Sequence, residues 1–460
     1  MSLAHKYRNT FFIFPAFLPL LELLPWALTL LGAVAGGTQI VSKAVWQRPW
    51  LRYGLLVIGV GLCAAGGWLL WLRYGDRPDA TVGSALEVQN PRVEQHQPKP
   101  ERPLSLQDIS PLTLLWTVPA PENNLGKPIV VDGVLYLGTL NGTFDALRAT
   151  DGQRLWTLHK KEPVFTAPTV TAQRVYVGEG HHYSTSSLLT AQAKNGAVLW
   201  SRQFRSHIES YPAVDEASDR LWISGGDTGL WGLTASSGKL RWWRQIGDMD
   251  VPPLYAVGRL FAVAKPDANQ VGAVVHELDP DTGKTLWTLN LEGDRMGSLL
   301  PDDKGNFYLG TAKGQVGVVK SSNAGWAHGV SMAGKLLWSV KLPAMAMPEG
   351  AISADKSLLL FALQDGRVIA LRTADGSTAW EARIGSEIET DIALIEDISP
   401  PMVAAVANDG SVSIRELMTG KERHQLSVEH GDSNPAYGNG IFFVATPNSI
   451  RAYSGWGKRP

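Results

Sequence analysis

Few residues in this chain have the types and the spacing that chemistry requires. His181 and His182 are adjacent and imidazole is a common metal ligand, but neighbouring side chains of an extended segment point in opposite directions. The acidic turn at residues 302–306 (Asp-Asp-Lys-Gly-Asn) lacks the ligand spacing and the terminal glutamate of a calcium loop. We therefore interpret the histidines as part of an exposed polar loop and residues 302–306 as a simple turn. Neither segment predicts a metal site.

The composition excludes several other classes of site. The single cysteine, Cys63, rules out an intrachain disulfide and a thiolate metal centre. The formal net charge of −1 gives no support to nucleic-acid binding, which requires a basic surface. The chain contains neither the phosphate-binding sequence GxxxxGK[ST] nor the zinc-binding sequence HExxH. The 44% of hydrophobic residues among 460 are instead sufficient for a large core.

The strongest pattern is a glycine followed four residues later by a large ring, and it occurs seven times. Successive glycines lie 42 to 51 residues apart, and self-similarity at such a period is typical of a repeat fold. Glycine permits a turn with positive φ, and tryptophan can bury a large surface while its indole N–H reaches a carbonyl oxygen. The pairs are Gly152/Trp156, Gly196/Trp200, Gly238/Trp242, Gly283/Trp287, Gly334/Trp338, Gly376/Trp380 and Gly420/His424.

Each repeat has the pattern of four short antiparallel strands. In the first unit, residues 134–137 and 143–147 are β-rich runs joined by Asn141-Gly142, a dipeptide typical of a two-residue hairpin in which both residues have positive φ. Asp151-Gly152 then turns the chain into a strand that we expect to end at Trp156. A further strand precedes most units and is often opened by proline, which tolerates the first position of a strand; these prolines are Pro128, Pro168, Pro212, Pro253 and Pro435. Four strands in about 40–45 residues indicate a propeller blade.

The number of units predicts an all-β, eight-bladed β-propeller over residues 112–456. The corresponding strands begin near Val134, Val175, Leu221, Leu260, Phe307, Leu358, Val403 and Ile441. The eighth unit has no room for a fourth strand, whereas residues 112–117, which include Trp116, have no partner in the first unit. We therefore expect this segment to complete the last blade and close the ring, which would leave no blade incomplete. We expect seven rings to wedge between blades: Trp116, Trp156, Trp200, Trp242, Trp287, Trp338 and Trp380.

The segments that end in Trp156, Trp287 and Trp380 resemble the tryptophan-docking repeat of the propellers named after pyrroloquinoline quinone (PQQ). This family has an enzymatic branch, the quinoprotein dehydrogenases, and a non-enzymatic branch typified by the propeller lipoprotein of the outer-membrane β-barrel assembly machinery (BamB-like). The resemblance to the first branch implies a disulfide of adjacent cysteines over the cofactor and a calcium ion. The propeller contains no cysteine, and its loops are too short to roof a cofactor. We therefore expect the BamB-like branch, with no catalytic residue, no metal and no cofactor.

The first 75 residues have the composition of a membrane anchor. Residues 51–72 form an apolar stretch long enough to cross a bilayer, and residues 11–35 form a second one interrupted by three prolines and Glu22. The sequence predicts one or two transmembrane helices, the first stretch either spanning or re-entrant. Glu22 at membrane depth is a candidate functional residue, with an interfacial position as its alternative. Gly61 and Ala65 are small residues four apart, a spacing that allows close helix–helix approach.

The distribution of basic residues favours a propeller outside the cytoplasm. Lys43, Arg48 and Arg52 lie between the two apolar stretches, and basic residues are enriched on the cytoplasmic side. The opposite orientation, with the propeller in the cytoplasm, is the alternative. Residues 76–111 are rich in Pro, Gln and Glu and predict a linker. The sequence thus predicts a bacterial inner-membrane protein with a periplasmic propeller on a tether.

The wider spacing between Gly283 and Gly334 predicts an insertion near residues 321–331, with Trp326 in a lengthened loop. An apolar residue in such a loop is a candidate partner contact, although Trp326 packing on its own blade is an equal alternative. With the anchor and the linker, these features predict a non-catalytic scaffold that binds a membrane protein complex of the bacterial envelope, in assembly, secretion or transport. The alternatives are a PQQ-dependent dehydrogenase and a sensor that binds a ligand in the central channel.

Overall fold

The computed structural model describes residues 112–119, 126–164, 166–180, 186–265, 272–314, 323–431 and 433–454. These residues form eight antiparallel sheets, and each sheet is one blade of a propeller. No helix in these ranges is long and apolar enough to cross a membrane. The expected anchor (1–75), the linker (76–111) and the sites at Glu22, Gly61, Ala65, His181 and His182 lie outside the described residues.

Blades 1 to 4 each contain four strands in chain order. Blade 1 contains β2 (Ile129–Val131), β3 (Val134–Gly138), β4 (Thr143–Arg148) and β5 (Arg154–His159), and blade 2 contains β6 (Thr169–Val170), β7 (Arg174–Glu179), β8 (Ser186–Gln192) and β9 (Val198–Phe204). Blade 3 contains β10 (Ala213–Asp215), β11 (Arg220–Ser224), β12 (Leu230–Thr234) and β13 (Leu240–Arg244), and blade 4 contains β14 (Leu254–Ala256), β15 (Arg259–Ala264), β16 (Ala273–Leu278) and β17 (Thr285–Leu291).

Blade 5 has its innermost strand divided in two, blades 6 and 7 are regular, and blade 8 takes its outer strand, β1 (Thr113–Pro119), from the start of the described chain. Blade 5 contains β18 (Arg295–Met296), β19 (Leu300–Pro301), β20 (Asn306–Lys313), β21 (Ala324–Ser331) and β22 (Leu336–Leu342), and blade 6 contains β23 (Ala351–Ile352), β24 (Leu358–Leu363), β25 (Arg367–Arg372) and β26 (Thr378–Arg383). Blade 7 contains β27 (Ile392–Ile395), β28 (Met402–Val406), β29 (Ser411–Glu416) and β30 (Glu422–Ser427), and the other strands of blade 8 are β31 (Asn434–Gly438), β32 (Ile441–Ala445) and β33 (Ser449–Ser454).

The structure confirms the eight blades and the closure of the ring. β1 pairs antiparallel with β33, with Trp116 opposite Ala452 and Thr113 opposite Ser454. The core is continuous across this junction, because Leu135 and Leu147 of blade 1 pack in one cluster with Phe443 and Ile450 of blade 8. Middle strands such as β24 and β28 are buried along their whole length, since each blade is covered by a neighbour on both faces.

Two local predictions about the first blade were wrong. Asn141 does not have positive φ; only Gly142 does (φ 82°), and its N–H bonds to the carbonyl of Thr139 in a longer turn. The two-residue turn with positive φ at both positions is one hairpin earlier, at Asp132 and Gly133 (φ 50° and 75°). The strand that contains Trp156 also does not end there, because β5 continues to His159.

The expected loop around Trp326 is a strand. β20 and β21 have eight residues each and pair along their whole length. Trp326 lies in β21 opposite Thr311 on one side and Lys341 on the other, and it is partly buried. The placement of Trp326 in a loop was wrong because this residue continues the strand pairing of the hairpin and is part of its ladder.

The recurring spacing of glycine and ring has a direct structural cause. Each tryptophan ring packs on the glycine of the next blade. A Cβ atom on Gly196 would lie 2.7 Å from the ring of Trp156, and one on Gly376 would lie 2.6 Å from the ring of Trp338. Six of the seven indoles also donate a hydrogen bond of 2.8–3.1 Å to the carbonyl three residues before that glycine; the donors are Trp116, Trp156, Trp200, Trp242, Trp338 and Trp380. Only glycine leaves room for this contact.

Trp287 packs on Gly334 but lacks the hydrogen bond. The turn before Gly334 is one residue shorter than the others, because the N–H of Gly334 bonds to Ser331, three residues back, where Gly152 bonds to Arg148, four back. Arg259 donates to the nearby carbonyl of Met332 at 2.9 Å. Within the described part of the chain, the buried indole N–H of Trp287 has no acceptor.

The ring position of blade 7 holds a histidine, His424, and the eighth blade offers no matching turn for it. In the other blades the glycine lies in the turn between the third strand and the outer strand. In blade 8 those strands are β33 and β1, which pair side by side but lie at opposite ends of the propeller's sequence, so no turn connects them. His424 in β30 therefore occupies the ring position without a glycine to pack on, and a smaller ring is tolerated there.

We expect the Gly376→Ala variant to lose more stability than the Gly305→Ala variant. Both glycines have positive φ (74° and 81°), so both variants suffer the same backbone strain of about 1–2 kcal/mol. A Cβ at Gly305 meets no atom within 4 Å, whereas at Gly376 it collides with Trp338. The collision should cost about 1–3 kcal/mol more. Denaturant unfolding followed by tryptophan fluorescence measures the difference, and equal losses would contradict interblade docking.

Deletion of residues 112–118 should destabilise the ring, because it removes the outer strand of blade 8 and uncovers Phe443, which packs against Trp116 at a ring distance of 5.9 Å. Deletion of residues 98–104, an equally long part of the predicted linker, is the matched control. We expect a fall in the thermal unfolding temperature for the first variant only. An unchanged temperature after loss of β1 would show that closure does not support the fold.

Candidate functional site

A polar cavity of about 550 Å³ lies on the propeller axis. Its walls are built from the first strand of each blade and the residues just before it, and first strands of neighbouring blades contact each other around the axis. All eight blades contribute, from Lys127 in blade 1 to Asn434 in blade 8. The ring closure therefore brings together side chains that lie up to three hundred residues apart in sequence.

The described walls of this axial cavity are strongly acidic. Three basic residues line it: Lys127, Lys265 and Arg295. Seven carboxylates oppose them: Glu209, Asp248, Asp250, Asp294, Glu349, Glu389 and Asp391. In a partly enclosed site with low-dielectric walls such an excess of one sign concentrates the field, so the cavity favours cations over anions.

One side of the cavity is held by an ion triad. The ammonium group of Lys127 contacts the Glu349 carboxylate and lies 2.9 Å from Asp391, so blade 1 is tied to blades 6 and 7. Burial opposes the charge of Lys127, but Asp391 and Glu349 outweigh it and raise the pKa of Lys127 well above its usual range. Burial raises the pKa of Glu349, and burial together with the Glu349 charge raises that of Tyr211. The charge of Lys127 is thus already neutralised by the carboxylates of Glu349 and Asp391.

The opposite side carries a second cluster, at the junction of blades 3 and 4. His207 Nε2 lies 3.0 Å from Asp250 Oδ1, and one donor atom from each of His207, Glu209 and Asp250 lies within 4.8 Å of the others. Burial opposes protonation of His207, but the bond to Asp250 and the charge of Glu209 raise its pKa. Burial and the charge of Asp250 raise the pKa of Asp248. Among the described residues, this is the group whose donors are arranged to hold a metal ion.

The axial cavity does not fit the quinone cofactor that the family's enzymatic branch implies. That cofactor is a tricarboxylate, and its anionic groups would face the carboxylates of the described wall, while Lys127 is already paired. Tyr211 is the single aromatic residue among those lining the cavity, so a stacking platform is not provided by the described wall. The chain's one cysteine, Cys63, lies outside the propeller.

The turn at residues 302–306 uses its acidic group internally. Asp302 Oδ1 accepts hydrogen bonds from the N–H groups of Lys304 and Asn306 at 2.8 Å, and Oδ2 accepts one from the hydroxyl of Tyr308 at 3.0 Å. Burial opposes the charge, but these bonds lower the pKa of Asp302. This geometry supports the interpretation as a turn.

The residues that converge on the cavity were missed in the analysis of the sequence. Lys127, Glu209, Asp250, Glu349 and Asp391 all stand shortly before the first strand of a blade. The signal was therefore present, as charged residues recurring in the segment that precedes each inner strand. Without knowing which end of each strand faces the axis, that recurrence is indistinguishable from ordinary loop polarity.

The whole described domain matches one protein family. The profile described as "Outer membrane protein assembly factor BamB" matches residues 107–207, 184–333 and 251–453, which together exceed two thirds of the chain. A chain of this architecture, with repeats of this kind, is a PQQ-repeat β-propeller. This chain belongs to the family of the outer membrane protein assembly factor BamB.

Individual relatives have low sequence identity to this chain. They include both BamB proteins and quinoprotein dehydrogenases. The chain is 26% identical over 188 residues to the outer membrane protein assembly factor BamB of Yersinia pestis, which covers 38% of this chain and 45% of that protein. It is also 26% identical over 230 residues to the quinoprotein ethanol dehydrogenase of Pseudomonas aeruginosa, covering 48% of this chain and 32% of that protein. The chain thus spans less than half the length of these relatives.

The solved structures support the fold. The crystal structure of BamB from Moraxella catarrhalis aligns with a TM-score of 0.57 and 15% identity, over 76% of this chain and 99% of that one. At this identity the similarity shows a shared propeller and nothing about partners or activity.

We expect replacement of Lys127 by methionine to destabilise the propeller by about 3 kcal/mol, because it leaves the carboxylates of Glu349 and Asp391 without their cation. Lys239→Met, at an exposed position of blade 3, is the control. Chemical denaturation measures both. A loss that is equally small in the two variants would mean that the triad does not hold blades 1, 6 and 7 together.

Stability should fall as the pH drops below about 6.5, because of His328 behind the cavity wall. This residue is 1% exposed, bonds Thr311 at 2.9 Å, and burial lowers its pKa from 6.5 to about 4. Between these values the unfolded chain binds a proton that the folded chain does not, so acid favours unfolding, by about 3 kcal/mol at most. We expect His328→Gln to flatten the fall between pH 6.5 and 4. An identical pH profile in the variant would contradict this assignment.

Proposed function

We propose that this protein is a non-catalytic scaffold subunit of a bacterial envelope complex, with its propeller in the periplasm and its N-terminal segment in the inner membrane. The family membership supports a role in assembly through protein–protein contacts, and the acidic axial cavity argues against an anionic quinone. The apolar stretches at residues 11–35 and 51–72 support the membrane attachment. The partner is a membrane protein complex.

The observation that carries this proposal is an apolar rim on the outer strands of blades 4 and 5. Leu286 of β17 is 54% exposed, and Leu336 and Leu337 of β22 are 40% and 44% exposed. β17 is an outer strand of seven residues with no charged side chain, whereas exposed edges are normally protected by charge. Its free backbone groups and the exposed leucines on the outer strand of the adjacent blade can accept an extended segment of a partner, which adds a strand to the sheet.

The rim can be tested against a matched position. Leu199 precedes Trp200 in blade 2 as Leu286 precedes Trp287 and Leu337 precedes Trp338, and it is 40% exposed. We expect the double variant Leu286→Ser/Leu337→Ser to lose most of the membrane proteins that cross-link to the full-length protein in intact cells. Leu199→Ser should retain them. Equal cross-linking in both variants would show that the rim is not part of the interface.

The membrane segment provides an independent arm of the same test. Gly61 and Ala65 are proposed to form a helix-packing face, so leucine at both positions should weaken co-purification in mild detergent. Trp326→Ala tests the remaining candidate contact of blade 5. A full-length protein that purifies alone and cross-links to nothing in cells would refute the scaffold function.

The second candidate is a quinoprotein dehydrogenase, which the similarity to the ethanol dehydrogenase favours. Incubation with PQQ and calcium should produce a quinone absorbance band and dye reduction with alcohols if this candidate holds. We expect neither, because the carboxylates of the cavity wall repel the tricarboxylate.

A further inference from the structure

We propose that the cluster of His207, Glu209 and Asp250 is a binding site for a divalent ion of the Zn²⁺ type, held in the wall of the axial cavity between blades 3 and 4. The site goes beyond the scaffold function and does not depend on it. Its donors are one imidazole nitrogen and two carboxylates, whose atoms lie within 4.8 Å of one another. This set suits Zn²⁺, for which three protein ligands with an open fourth position are common.

The backbone places the three donors at equivalent points of adjacent blades. His207 and Glu209 lie just before β10, the first strand of blade 3, and Asp250 lies just before β14, the first strand of blade 4. His207 and Glu209 are two residues apart in an extended segment, so their side chains project to the same side. An ion at this point would join the inner segments of two blades.

The position of the imidazole is built into the fold. The ring of His207 is 7% exposed and lies against Gly226, where a Cβ atom would come within 2.5 Å of Nε2. Gly226 has φ of +53° and its carbonyl accepts a hydrogen bond from Met249, so its backbone is fixed by the segment that leads to Asp250. The Nε2 end of the ring is thus packed against this backbone, and Nε2 lies 3.0 Å from Asp250 Oδ1.

Carboxylates outnumber positive groups at the cluster, where Lys265 and the imidazole of His207 offset part of the negative charge. Glu209 and Asp250 converge on one imidazole, and Asp248 brings a third carboxylate to the same stretch of wall. Asp248 Oδ1 is buried and accepts no hydrogen bond from any described residue. Buried carboxylates without such partners are costly unless a cation is close. A divalent ion would neutralise this surplus.

The donor set also indicates which ion to expect. Calcium and magnesium are bound by oxygen ligands, and a buried imidazole among the donors selects against them. Since Glu209 and Asp250 both line the axial cavity, an ion held between them would be accessible from its interior. A ligand with an anionic or nucleophilic atom could reach the ion from there, at a point where the cavity is otherwise acidic.

The test uses full-length protein purified in mild detergent, treated with a chelator and titrated with ZnCl₂ against a chromogenic chelator. We expect one Zn²⁺ per chain, and a loss of affinity of at least about tenfold in His207→Gln and in Asp250→Asn. Asp294→Asn is the matched control, because it removes the same charge from the same cavity outside the cluster. An excess of Ca²⁺ or Mg²⁺ should not displace the ion.

A second readout separates ligation from folding. Co²⁺ in place of Zn²⁺ should give a visible absorption band that shifts or disappears in His207→Gln, while the thermal unfolding of the metal-free variants reports whether the ring is intact. Absence of stoichiometric binding would overturn the proposal. Equal weakening by Asp294→Asn and Asp250→Asn would also overturn it, since the metal would then be attracted by the acidic cavity as a whole.

Discussion

The packing of a tryptophan ring on the glycine of the next blade is the interaction on which the rest of the structure depends. It combines three requirements in one contact: a backbone with positive φ, no Cβ atom, and a carbonyl within reach of the indole N–H. Each contact fixes two blades face to face, and seven such contacts set the angle around the circle. The axial cavity exists because these outer contacts hold the inner strands at a constant distance from the axis.

This contact also explains why the fold was predictable and the cavity was not. Glycine and tryptophan are four residues apart in sequence, so their recurrence is visible as a period, and the blade count and the closing strand around Trp116 follow from it. Lys127 and Asp391 lie far apart in the chain and meet because the ring closes at eight blades. Nothing local to either residue indicates the other.

The errors in the sequence-based predictions have physical causes of the same kind. Trp326 was assigned to a loop because extra residues usually extend loops, yet β20 and β21 pair over eight residues each and this ladder includes Trp326. Asn141-Gly142 has the composition of a two-residue turn, but the hydrogen bonds of the hairpin close around a longer one. In both cases the backbone ladder overrode the preference of the individual residues.

The closing strand has a consequence for the order in which the protein folds. β1 leaves the ribosome before any other strand of the propeller, and its partner β33 is completed more than three hundred residues later. During all of that synthesis the segment Thr-Leu-Leu-Trp-Thr-Val-Pro, which has no charged residue, has no partner in the ring. Closing so long a loop is entropically costly and slow. The eighth blade therefore cannot be completed until the synthesis of the propeller has ended.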